Sequence, residues 1–98
     1  MSNDKAYYRA DVPGLNPGDP TTRTLDPLGG KEYTYATTRL DVARGIAARH
    51  PGFSVYRVKL NEPIEVDPDA AQFNIGELFV RSPWGAVVDV VDENETRS

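Results

Sequence analysis

The cleanest alternation in the chain runs from Phe53 to Leu60. Tyr56, Val58 and Leu60 fall on one face and Val55, Arg57 and Lys59 on the other, which predicts a half-buried strand. A second strand is predicted over Ala6–Ala10, with Tyr8 and Ala10 sharing a face. Tyr33, Thr34 and Tyr35 predict a third, because aromatic and β-branched side chains suit a pleated, half-buried surface. The period then changes. Leu40, Ala43, Ile46 and Ala47 recur at helical spacing, with Arg39, Arg44 and Arg49 mostly on other faces. Thr38 is the expected N-cap, Asp41 gives a weak capping box, and His50-Pro51-Gly52 stops the helix. Ile64–Asp67 and Glu77–Arg81 read as short strands. Ala86–Val91 is apolar on both faces and is expected to lie centrally in its sheet. The Ser82-Pro83-Trp84-Gly85 turn between the last two predicts a hairpin.

Between these elements lie turn signals. Asp11–Pro20 carries two Pro-Gly pairs and is expected as a loop anchored by Leu15. Thr21–Lys31 is polar, ends in Gly29-Gly30, and reads as a mobile surface excursion. One helix among many short strands makes this an α+β chain.

At 98 residues the chain fits one domain with a modest core, with tails expected at 1–5 and 92–98. The formal net charge is -4, with Asp89, Asp92, Glu93 and Glu95 crowding the C-terminal end. No basic stripe is evident, so a nucleic-acid partner is not expected. Cysteine is absent and there is one histidine, which argues against disulfides, thiol chemistry and a zinc site. No apolar run resembles a signal peptide or a membrane span, so the expectation is a soluble, cytoplasmic protein.

Three segments, in order, resemble the ADP-ribosyltransferase superfamily. Tyr8-Arg9-Ala10-Asp11 resembles the first motif of the arginine–serine–glutamate toxin branch. Tyr35-Ala36-Thr37-Thr38, running into the helix, resembles that branch's Ser-Thr-Ser corner. Glu77-Leu78-Phe79-Val80 with Ser82-Pro83-Trp84-Gly85 resembles its glutamate-bearing strand and turn. The chain is also similar to the small rifampin ADP-ribosyltransferases, through Leu15-Asn16-Pro17-Gly18-Asp19, Tyr35 with Leu40-Asp41-Val42-Ala43, Glu65-Val66-Asp67-Pro68 and Arg81-Ser82-Pro83. The pattern departs from both branches. Arg9 stands where the rifampin branch has histidine, Ala36 where the toxin branch has serine, and Ile75 where that branch often has an acidic residue or glutamine.

The resemblance implies a small split β-sheet domain with one main helix, holding NAD in a cleft between two small sheets. It implies transfer of ADP-ribose to a small-molecule or protein acceptor. It nominates Arg9, Tyr35, Thr37 and Thr38 for NAD and either Glu77 or Asp67 as the catalytic carboxylate, with no metal. Cleavage at the nicotinamide-bearing carbon passes through an oxocarbenium-like state, which an acidic side chain stabilises. Each residue also has a plainer role. Arg9 would pair with Asp11; Tyr33 and Tyr35 would pack a strand face; Thr38 would cap the helix; Glu77 and Asp67 would be a solvated strand end and a turn. His50 is most simply a helix-end cation, and Trp84 a turn aromatic over the core. A non-catalytic binding or interaction module is the alternative of a different class.

Overall fold

The computed structural model describes residues 6–26, 29–68 and 79–92. The elements are β1 (Tyr7–Asp11), β2 (Thr24–Leu25), β3 (Glu32–Thr37), α1 (Leu40–Arg49), β4 (Ser54–Leu60), β5 (Glu65–Val66), β6 (Phe79–Ser82) and β7 (Gly85–Asp92). The strands form one antiparallel sheet in the order β5-β6-β3-β1-β4-β7, with β2 paired to β3 off that path. With one helix among the described residues, this is a small α+β domain. The segments expected as tails lie outside the described residues, except Asp92 at the end of β7.

The sheet cannot lie flat. β6 and β7 have three strands between them, so in a flat sheet they would sit four spacings apart, about 19 Å. Ser82 and Gly85 are three Cα steps apart, which span at most about 11 Å. The sheet therefore rolls until the ends of β6 and β7 meet. At that seam Asn61 N–H donates to the Trp84 carbonyl (2.9 Å), and the Ser82 hydroxyl donates to the Asn61 carbonyl. Gly85 sits so close to its neighbours that a Cβ there would lie 2.9 Å from Thr21 Oγ1, 3.0 Å from Thr34 Cγ2 and 3.1 Å from Leu60 Cδ2.

The inside of the roll is the core. Ala36, Tyr56, Val58, Leu60 and Val87 are buried there, with Tyr7, Leu15, Ile64 and Val80 packed against them. Tyr56, Val58 and Leu60 alternate with the exposed Arg57 and Lys59, as the periodicity predicts. The loop after β1 closes the roll. Leu15 turns inward, and its N–H donates to the Tyr56 hydroxyl (3.2 Å), which itself donates to the Val12 carbonyl (2.7 Å). The buried phenol is thus fully used, as a polar group out of water must be. The helix packs on the other face, against β1, β3 and β4, with Ala43 fully buried.

Five expectations are corrected. The strands make one rolled sheet rather than two small ones, because β1 bonds to both β3 and β4 and so joins the two halves. β6 and β7 do not form a hairpin: β6 pairs with β3 and β5, and β7 with β4. β7 is an edge strand rather than a central one. Its two-faced apolar pattern has another origin. Register shifts opposite Val55/Tyr56 and Arg57/Val58 break its alternation, and Val88 and Val90 remain exposed. Its first residues are flanked by the loop, through Gly18 N–H to Val87 O and Val87 N–H to Asp19 O (both 2.8 Å). The stretch from Thr21 is no free excursion either. Thr21 is buried, its hydroxyl bonded to that of Thr34 (2.7 Å), and β2 follows directly. Finally, the N-cap is Arg39, not Thr38, with no side-chain cap bond. The chain stays extended one residue longer because Thr37 Oγ1 accepts the Arg39 N–H (3.1 Å), while Asp41 is drawn sideways into a pair with the Arg39 guanidinium (2.8 Å).

Candidate functional site

β1 and β3 are neighbours in the sheet but share a single register pair, Tyr8 with Thr37. β1 and β4, by contrast, are zipped over five pairs. Where β1 and β3 part, a cleft of about 280 Å³ opens. Four aromatic rings line it, from Tyr8, Tyr35, Phe53 and Phe79. Ala43 and Ile46 of α1 form its roof, and Arg9, Thr24 and Thr37 supply the polar groups. Tyr8, Thr37 and Phe79 lie in one row across three strands, since Tyr8 is in register with Thr37 and Thr37 with Phe79. Phe53 is braced from behind by His50, whose ring stacks on it at 5.1 Å.

Arg9 spans the gap. Its Nη1 donates to the Tyr35 carbonyl (2.6 Å), its Nε to Asp11 Oδ2 (2.8 Å) and its Nη2 to Thr22 Oγ1 (2.7 Å). A side chain thereby replaces the ladder bonds that the two strands do not make. Asp11 is only 1% exposed and accepts further bonds from the Thr22 hydroxyl, the Thr22 N–H and the Val12 N–H. Burial pushes its pKa up, but the Arg9 charge and these donors outweigh it and hold the carboxyl below its ordinary value. The plain pairing of Arg9 with Asp11 is therefore present, on an interior strand. It leaves each terminal nitrogen of Arg9 with a second N–H beyond these bonds.

Arg81 is a second shielded guanidinium, in register with Tyr35 on the next strand. Nε donates to Glu65 Oε1 (2.9 Å) and Nη1 to Asp26 Oδ2 (3.3 Å), and the cation lies 4.0 Å from the centroid of the Tyr33 ring. Burial opposes its charge, yet the bonds to Glu65 and Tyr35 and the acidic surroundings raise its pKa above the ordinary value. Arg23 makes a comparable stack on the half-exposed Trp84, at 3.6 Å.

Of the residues nominated from sequence, Arg9, Tyr35 and Thr37 come together at the cleft. Thr37 is buried, its hydroxyl also serving the helix entry. Thr38 is half-buried and does not line the cleft. Asp67 follows β5, where its N–H donates to the Phe79 carbonyl (3.0 Å), so it lies across β6 from the cleft. Glu77 lies outside the described residues. Among the described residues the lining carries no carboxylate. Sequence reasoning missed Tyr8, Thr24, Phe53 and Phe79 as wall residues. Tyr8 adjoins Arg9 and was within reach, but Phe79 enters only through the β3–β6 register, which no local pattern reveals. The described residues contain no group of His, Cys, Asp and Glu able to hold a metal ion, and no helix among them is long and apolar enough to cross a membrane. Compared with protein-family models, curated proteins and solved structures, the chain matches none.

Proposed function

We propose that this chain is an ADP-ribosyltransferase-like domain that holds the nicotinamide end of NAD in the cleft between β1, β3 and α1 and passes ADP-ribose to a small-molecule or protein acceptor. One observation carries it. The motif that carries Arg9 and the one that carries both Tyr35 and Thr37 lie 26 residues apart in sequence, and they converge on one aromatic cleft where β1 and β3 part. A flat heteroaromatic ring suits walls built of Tyr8, Tyr35, Phe53 and Phe79. In the reaction the bond between nicotinamide and the ribose carbon breaks, nicotinamide leaves with the bonding electrons, and an acceptor nucleophile bonds to the carbon. The carboxylate of Glu77 stabilises the positive charge that develops on the ribose, and Asp67, which lies across β6 from the cleft, is its rival for that role. Tyr35 provides the stacking surface, and Arg9 both fixes the strand beneath it and offers its remaining N–H groups to the ligand.

A non-catalytic binding module is favoured by a different observation: Arg9 is largely consumed by Asp11, Thr22 and the Tyr35 carbonyl. The two are separated by NAD titration with detection of free nicotinamide. The transferase is expected to be stabilised by NAD and to release nicotinamide slowly without an acceptor. Glu77→Gln is expected to abolish release while binding persists. If release survives that change and is lost with Asp67→Asn, the acid is Asp67. NAD binding with no release in the parent chain leaves the binding module, and no NAD binding at all removes the NAD assignment.

A further inference from the structure

We propose that Arg81 is a positioning residue for the cleft: its guanidinium fixes the plane of the Tyr35 ring, the surface on which a flat ligand stacks. This rests on the assignment of the cleft to the nicotinamide end of NAD. Tyr35 and Arg81 are register partners on β3 and β6, so their side chains rise from the same face of the sheet. Phe79, two residues before Arg81 and on that same face, lines the cleft as Tyr35 does. Arg81 therefore stands beside Tyr35 on the face that carries the cleft wall.

Its own orientation is set from two sides. Glu65 on β5 takes Nε and Asp26 beyond β2 takes Nη1, which leaves the side chain only 14% exposed. A planar fork held at two of its nitrogens has little freedom to rotate. That fixed plane lies against the Tyr33 ring, and Tyr33 meets Tyr35 edge-on, with centroids 6.3 Å apart and planes at 63°. Tyr35 is thus held between Arg81 across the strand pair and Tyr33 along its own strand. A wall whose ring is already fixed loses less conformational freedom when a ligand stacks on it. The two carboxylates on Arg81 also disfavour the obvious rival role, capture of the ligand's phosphates, because an anion arriving there meets Asp26 and Glu65.

The test is a double-mutant cycle on the NAD dissociation constant, with the Tyr35 side-chain rotamer followed by NMR. Arg81→Met is expected to weaken NAD about fivefold. Arg81→Lys is expected not to restore it, because a point charge cannot reproduce the planar contact. Tyr35→Phe combined with Arg81→Met is expected to bind no more weakly than Arg81→Met alone. Tyr35 is expected to keep one rotamer in the parent chain and to sample several in Arg81→Met. Unchanged affinity in Arg81→Met alongside a lowered Tm overturns the proposal and leaves Arg81 a stability residue. If that variant does not fold, Glu65→Gln loosens the same guanidinium from an exposed partner. It is expected to shift affinity in the same direction, and no shift overturns the proposal. If the parent chain does not bind NAD, the NAD assignment falls, and the rotamer measurement alone decides: a Tyr35 ring undisturbed in Arg81→Met overturns the positioning role.

Discussion

Arg9 and Asp11 carry the residue-scale lesson. A strand places residues two apart on one face, so their pairing was legible from the Arg-x-Asp spacing alone. What the spacing did not reveal was Thr22, which completes the network from a loop eleven residues away. Nor did it reveal the Tyr35 carbonyl, which turns a local pair into a bridge across the sheet. Because Asp11 is buried, loss of its partner leaves a carboxylate with too few donors in a poorly hydrated place. Arg9→Met is expected to destabilise the domain by about 3 kcal/mol in urea titrations at neutral pH. The same network sets a pH dependence. The folded pKa of Asp11 is depressed, so its contribution is complete above the ordinary carboxylate value of about 3.9 and is lost as the pH falls through the lower folded value. Asp11→Asn is expected to flatten the acid limb of a stability-versus-pH curve. An unchanged limb would assign acid unfolding to other carboxylates.

At the scale of elements, alternation located β4 and helical spacing located α1, because each of these buries one side and exposes another. It failed where a strand's surroundings are not set by its own alternation. β7 looked central because it is apolar on both faces, yet its bulges and the flanking loop account for that in an edge strand. The helix start was displaced by one residue for a related reason, since the hydroxyl of Thr37 rather than that of Thr38 meets the first free N–H. This leaves an arginine at the N-cap, where its charge opposes the positive end of the helix and its side chain caps nothing. Arg39→Ser is expected to raise Tm by a few degrees, measured by thermal unfolding followed by circular dichroism. A lowered Tm would show that the exposed pair of Arg39 with Asp41 matters more than the cap.

For the whole molecule, the α+β class was legible in the sequence, whereas the two small sheets expected by resemblance are one continuous sheet. The strand order was not legible, because β1–β4, β3–β6 and β4–β7 all pair segments that are distant in the chain. The cleft inherits that limit. Arg9, Tyr35 and Thr37 could be nominated one at a time, but Tyr8 and Phe79 join them only once β1, β3 and β6 are aligned. The roll also dictates a time order. The two-residue link between β6 and β7 joins strands that lie on opposite sides of β1, β3 and β4, so it can settle only after those three have found one another. Closing such long loops before any compensating contacts form is slow, so refolding after dilution from denaturant is expected on the millisecond-to-second scale. Lengthening the link with glycines between Pro83 and Trp84 is expected to speed unfolding more than it slows refolding, because the seam forms after the rate-limiting step. Stopped-flow fluorescence of Trp84, which sits on the seam itself, reads both rates. A large drop in the refolding rate would place the seam early instead.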